Sequence, residues 1–364
     1  MHNKIDVEIE EKKKSYPIYI DTDSISDLKE RILKDLDYPK FLVVISEKVF
    51  KLYEKDLGFK KEEVFVLKDG EIEKNFKNYQ KIIQRCEEMN LNRKSAIIAI
   101  GGGVVGDITG FVASTYMRGI TFIQVPTTLL ACVDSSVGGK VAIDTKCGKN
   151  LVGAFYQPKA VYINLNFLNT LDDRQFSSGL AEVVKYAFIE KSCGASFDYG
   201  LFDFLSVHSS KIMDKDLRFL EKVIKVCIEL KIAVVMQDEK EAGLRKILNF
   251  GHTYGHALEN ITNYKTFTHG EAVAYGMHFM FDYAHKLKLI DANYKELATN
   301  LLNKFGFYSK NFNYPAKKLI EIMKKDKKAE ENTIKVILPT LKGYVKEGDF
   351  DIEAAISNDL LEFS

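Results

Sequence analysis

Short aliphatic runs alternate with charged helical stretches through the first half of the chain. Phe41-Leu42-Val43-Val44-Ile45, Val64-Phe65-Val66-Leu67, Ala96-Ile97-Ile98-Ala99-Ile100 and Thr121-Phe122-Ile123-Gln124-Val125 read as buried strands. An amphipathic helical pattern fills residues 75–89 between two of them. Strand and helix in alternation imply a parallel sheet, because each strand must cross back over a sheet face before the next begins. After about residue 170 helical patterns dominate, over residues 175–191, 217–237 and 269–287. Strand signals are few until Ile334-Lys335-Val336-Ile337-Leu338. The expected fold is α/β: an N-terminal Rossmann-like parallel-sheet domain (residues 1–170), then a mostly α-helical domain (residues 171–364), with a cleft between them. A chain of 364 residues is long enough for two such cores.

Charge narrows the partners. Lys and Arg total 52 against 51 for Asp and Glu, so no global field recruits nucleic acid or a membrane surface. Any anion must therefore be held by a local cluster of cations. No apolar run approaches the ~18 residues of a membrane span, and Met1 to Lys14 lack the apolar core of a signal peptide. Cytoplasmic residence is the expectation. The five cysteines form no C-x-x-C pair, which points away from a disulfide framework or a thiolate metal site.

The strand ending at Ile100 runs into Gly101-Gly102-Gly103-Val104-Val105-Gly106-Asp107, a G-x-G-x-x-G turn between a strand and a helix. Glycines there let the backbone approach a pyrophosphate, and the helix start offers unpaired N–H donors. The usual dinucleotide fingerprint sits on the first strand. Here two α/β units precede it, and the next strand ends in Pro126-Thr127-Thr128. The turn is a dinucleotide site in a variant topology or simply a tight turn.

Three histidines, His252, His256 and His269, fall close together in Gly251-His252-Thr253-Tyr254-Gly255-His256 and His269-Gly270-Glu271. Spacing of i, i+4 places His252 and His256 on one helix face. Imidazoles suit zinc, and a catalytic zinc site needs three protein ligands and an open position. The candidate fourth ligand is Glu182, in Gly179-Leu180-Ala181-Glu182-Val183-Val184-Lys185: the helix around it is apolar, and a buried charge needs a partner. Several cations sit beside glycines instead of on solvated faces, among them Arg118, Lys140 and Lys149, with Asn150 following; Glu241 and Arg245 lie just before Asn249. Such cations bind phosphate and carboxylate through charge-assisted hydrogen bonds. Together they point to a small, multiply anionic polyol as substrate.

These strings, with Val133-Asp134-Ser135-Ser136-Val137-Gly138-Gly139-Lys140, Gly148-Lys149-Asn150-Leu151 and Asp326-Lys327-Lys328, resemble the 3-dehydroquinate synthase family of sugar phosphate cyclases over residues 69–338. The resemblance implies a zinc site of Glu182, His252 and His269, with cobalt as a possible substitute, and with His256 facing substrate. It implies NAD contacts from Asp69, Gly70, Glu71, Ile72, Glu73, Lys74, Gly102, Gly103, Val104, Val105, Gly106, Asp107, Thr127, Thr128, Lys140, Lys149, Phe167, Leu168, Asn169 and Thr170. Substrate contacts would come from Asp134, Lys140, Asn150, Lys185, Lys231, Arg245, Asn249, His256 and Lys327, with Glu241 in support and Arg118 donated across a homodimer interface. Ser46-Glu47 departs from the Asp or Asn that such chains often place at the cofactor after the first strand. The reaction implied converts 3-deoxy-D-arabino-heptulosonate 7-phosphate to 3-dehydroquinate and phosphate, by transient oxidation, phosphate elimination, re-reduction and aldol closure. Other sugar phosphate cyclases, and metal-dependent alcohol or glycerol dehydrogenases of related fold, are the alternatives.

Overall fold

The computed structural model describes residues 15–36, 40–195, 199–310, 314, 316–326 and 333–352. The strands are β1 (Ile18–Asp21), β2 (Phe41–Ser46), β3 (Val64–Leu67), β4 (Ala96–Gly101), β5 (Thr121–Pro126), β6 (Lys140–Thr145), β7 (Gly148–Phe155), β8 (Ala160–Asn164), β9 (Thr333–Leu341) and β10 (Tyr344–Asp351). The helices are α1 (Leu28–Asp35), α2 (Glu47–Leu57), α3 (Phe76–Glu88), α4 (Gly103–Thr115), α5 (Asp173–Ile189), α6 (Leu201–Met213), α7 (Leu217–Gln237), α8 (His252–Ile261), α9 (His269–Lys286), α10 (Ala292–Lys304) and α11 (Ala316–Asp326).

Six strands form one parallel sheet in the order β1-β8-β5-β4-β2-β3. Its central strands are buried on both faces, which explains their unbroken aliphatic runs. Alternate residues separate cleanly. Val43, Ile45, Ile98 and Ile100 pack with Leu28 and Ile32 of α1 on one face. Leu42, Val44, Ile97 and Ala99 pack with Ile82 of α3 and Ile108 and Val112 of α4 on the other. The chain leaves β2 toward β3 and leaves β4 toward β5, so the winding reverses between β2 and β4. In open α/β sheets, ligands bind outside the carboxyl ends of strands at such a reversal.

Among the described residues the second half is built on helices α5 to α10, and its core also takes Val161 and Ile163 from β8. Helix α5 starts at Asp172, whose carboxylate accepts from Gln175 N at 3.0 Å, and is buried almost all round, as a central helix must be. Helix α9 starts in a capping box: Thr268 Oγ1 accepts from Glu271 N at 3.3 Å, and Glu271 accepts from Thr268 N at 2.7 Å. The β6–β7 hairpin was not expected from the sequence. Its strands are half exposed and carry glycines, and the usual hydrophobic signal is weak there.

Two glycines bring the site's helices together. A Cβ on Gly270 would collide with the Ser178 carbonyl oxygen, so the start of α9 lies directly against α5 one turn before Glu182. A Cβ on Gly276 would overlap the Gly251 carbonyl oxygen, pressing the start of α8 onto α9. Gly270→Ala has backbone as its obstacle and no flexible side chain to move. It is expected to cost about 2–3 kcal/mol of stability and to weaken zinc binding, measured by thermal melts with and without zinc.

Candidate active site

A cleft of about 1320 Å³ runs along the carboxyl ends of the sheet strands. It is lined by Ser46 at the end of β2, Asp69 and Gly70 after β3, Gly102 and Gly103 after β4, Thr127 and Thr128 after β5, and Phe167 and Thr170 after β8. Gly102 is the N-cap of α4 and supplies no side-chain cap, so the first N–H groups of that helix face the cleft edge. Val104, Val105, Asp107, Glu71, Lys74 and Lys149 also line it. Lys74 is 3% exposed, and its ammonium donates to Asp107 Oδ2 and Asn150 Oδ1, each at 2.5 Å. These three residues thus brace the loop after β3, the glycine helix and the hairpin against one another.

Some expected cofactor residues lie elsewhere. Leu168 is fully buried in the helical core and cannot present its side chain to a ligand. Ile72 points outward, 82% exposed. Glu73 accepts from Asn78 Nδ2 at 2.6 Å, Asn169 is exposed, and Gly106, Leu168, Asn169, Ile72, Glu73 and Lys140 are absent from the cleft lining. The Ser46–Glu47 departure has a local explanation: Ser46 Oγ caps α2 by accepting from Val49 N at 3.2 Å, while Asp69 accepts from Lys48 N at 3.0 Å.

At one side of the cleft three helices converge. Glu182 of α5, His252 of α8 and His269 of α9 each offer a ligand atom, all within 4.8 Å of one another. Glu182 Oε1 is 3.6 Å from Nε2 of both histidines. Both Glu182 oxygens are buried without a hydrogen bond, although the Lys185 ammonium is in ion-pair contact with Oε2. A buried carboxylate left with open lone pairs calls for a cation. The histidines agree. Burial holds His252 down to about 3, so its imidazole is neutral at physiological pH, with Nδ1 at 3.1 Å from the Phe250 carbonyl and Nε2 turned to Glu182. Burial would also lower His269, but the neighbouring Glu182 and Glu259 carboxylates hold it up to about 10. The position between these carboxylates attracts a proton when no other cation is there. Two imidazoles and a carboxylate are a donor set suited to zinc, with room for further ligands from the cleft side, where His256 stands. A second group, His256, Glu259 and His269, also falls within 4.8 Å.

Behind the metal cluster the cations form a connected network. Lys231 donates to the Asp134 carboxylate and to its backbone carbonyl, both at 2.5 Å. Burial alone would raise the Asp134 carboxyl, but the Lys231 and Lys185 ammonium groups hold it well below the usual range. A π-helical turn, Ala131–Ser135, presents Asp134 to both. Arg245 is 2% exposed and donates to the Gly138 carbonyl at 3.1 Å and to that of Glu239. Asp238 organises the turn that carries it, accepting from the N–H groups of Ala242, Gly243 and Arg245 at 2.7–2.9 Å. Glu241 pairs with Lys140 and accepts from Asn249 Nδ2 at 2.6 Å. Of the expected substrate residues, Asp134, Asn150 and His256 line the cleft directly. Arg118 is exposed and outside the lining, on a turn where Met117 and Arg118 both have positive φ (52° and 64°). Lys327 lies outside the described residues.

Sequence reasoning missed Glu259. It is 3% exposed and touches both His269 and Lys149. Its signal was its place three residues after His256, on the same helix face.

Comparison with known proteins fits this arrangement. A solved 2-deoxy-scyllo-inosose synthase, complexed with carbaglucose-6-phosphate, NAD+ and Co2+, superposes with a TM-score of 0.81 at 26% identity, covering 94% of this chain and 95% of that one. A probable glycerol dehydrogenase from Sinorhizobium meliloti shares the fold alone, with a TM-score of 0.61 at 15% identity over 85% of this chain and 90% of that one. The fold is that of the sugar phosphate cyclases and is shared with dehydrogenases. Sequence decides between them. Residues 64–178 match the 3-dehydroquinate synthase N-terminal profile and residues 179–329 the C-terminal profile. The 3-dehydroquinate synthase of Dictyoglomus thermophilum is 43% identical over 343 residues, 94% of this chain and 93% of that protein. The chain belongs to the 3-dehydroquinate synthase family.

Proposed function

We propose that the chain converts 3-deoxy-D-arabino-heptulosonate 7-phosphate to 3-dehydroquinate and phosphate, with NAD in the cleft along the strand ends and zinc on Glu182, His252 and His269. The observation that carries the reading is the convergence of these three side chains, from three helices, beside a cleft bounded by the glycine turn. When bound, NAD would take and return a hydride and zinc would supply Lewis acidity, so the net change is loss of phosphate without redox.

The protein's own groups bind and orient. Lys185 and Lys231, each paired with a carboxylate, hold Glu182 and Asp134 ionised behind the cleft. Arg245 fixes the Gly138 carbonyl, and so the loop that carries Lys140. Lys140, Asn150, Asn249 and Arg245 are assigned to the substrate's phosphate and carboxylate, where fixed donors lower the barrier through orientation and electrostatic stabilisation. His256 faces the cleft as the group placed to hold or move a proton. Arg118, exposed on its strained turn, is assigned to a partner subunit's site in a homodimer. A division into sheet and helical domains near residue 170 and a cytoplasmic location belong to the same reading; among the described residues no helix is long and apolar enough to cross a membrane.

The test is phosphate release with the heptulosonate substrate. The expected result is release of phosphate with no accumulation of reduced nicotinamide. Accumulating NADH would indicate a dehydrogenase. Turnover only of a sugar phosphate lacking the carboxylate would indicate another cyclase.

A further inference from the structure

We propose that Glu259 is a positioning residue for the metal centre: its carboxylate orients His269 and, through Lys149, ties the β6–β7 hairpin to that ligand. The inference rests on the metal site described above. Glu259 is buried on α8, and its two oxygens have separate partners. Oε2 stands 3.3 Å from His269 Nδ1, and Oε1 accepts from Lys149 Nζ at 3.3 Å. Lys149 comes from β7, on the glycine-turn side of the cleft, and sits 4.2 Å from the centre of the Tyr264 ring.

An imidazole presents a lone pair from one nitrogen only while the other carries the proton. A carboxylate accepting from Nδ1 keeps the proton there and leaves Nε2, 3.6 Å from Glu182 Oε1, to face the ion. It also makes the ring a better donor, as outer carboxylates do for metal-bound histidines. His252 has the equivalent anchor in the Phe250 backbone carbonyl. His269 is therefore the ligand whose orientation depends on a side chain, and that side chain also touches the cation from the cofactor side. Loss of Glu259 frees the His269 ring to turn and cuts the link between hairpin and metal.

Wild-type, E259A and E259Q chains, stripped of metal, are titrated with zinc against a chromophoric chelator and with Co2+ while the visible absorption bands are followed. E259A is expected to raise the zinc Kd 10–100-fold and to alter the cobalt bands. E259Q keeps an oxygen that accepts from Nδ1–H but loses the charge, so it falls between. A folded E259A with wild-type zinc Kd and cobalt spectrum overturns the proposal, whatever its melting temperature. Should E259A not fold, E259Q with wild-type values does the same. A wild-type chain that binds no zinc overturns the metal-site reading itself.

Discussion

Glu182→Gln is expected to weaken zinc binding more than about 100-fold, beyond the loss typical of an outer partner, and to reduce phosphate release below detection. The amide preserves volume and packing in α5, so the fold should persist. It removes the charge that both histidines face at 3.6 Å. It also leaves the Lys185 ammonium without its carboxylate in a fully buried position. Competition with a chromophoric chelator measures the first effect and a phosphate assay at saturating zinc the second. Wild-type zinc affinity in this variant would show that the ion, if any, sits elsewhere.

Lys185→Met carries the second large effect. The thioether replaces the buried stem without the ammonium, so packing is kept and charge is lost. Burial lowers the Lys185 pKa, but Glu182 and Asp134 outweigh it and hold the ammonium charged. Removing it strands the Glu182 carboxylate in a buried place, while Asp134 keeps its pair with Lys231. Breaking a buried ion pair costs about 3 kcal/mol or more, so the metal-free variant should melt well below the wild type. Zinc restores a positive charge beside Glu182, and much of that deficit should vanish when zinc is added. Activity should not return with it: kcat/KM is expected to fall about a thousand-fold, the scale for loss of one fixed electrostatic group at a reacting centre. A metal-free variant as stable as the wild type, or one with near-normal turnover, would contradict the role given to this lysine.

The fold was legible where local and tertiary preferences agree. The aliphatic runs read as strands became β2 to β5, because strands covered on both faces need no polar alternation. The pattern over residues 217–237 matched α7, and that over 75–89 bracketed α3. The β6–β7 hairpin escaped because it is a half-exposed ribbon interrupted by Gly148 and Gly153. β1 escaped because its apolar run, Ile18-Tyr19-Ile20, is one residue shorter than that of β3 and ends in Asp21.

In the site, the i, i+4 pair His252 and His256 was visible, but spacing could not say that His269, from the next helix, joins Glu182 in place of His256. That choice depends on the close approaches at Gly270 and Gly276, which are facts of tertiary packing. The brace of Lys74, Asp107 and Asn150 was hidden for the same reason: its members come from three separate segments and meet only in the fold. Glu259 looked like any helix-surface acid until burial set it between a ligand and a lysine.

The most direct measurement is anomalous diffraction at the zinc edge from crystals of the zinc-loaded protein. One peak is expected about 2.0–2.2 Å from Nε2 of His252, Nε2 of His269 and a carboxylate oxygen of Glu182, opening toward the cleft beside the glycine turn. A peak seated on His256 and Glu259 instead, or no peak among these helices, would contradict the account.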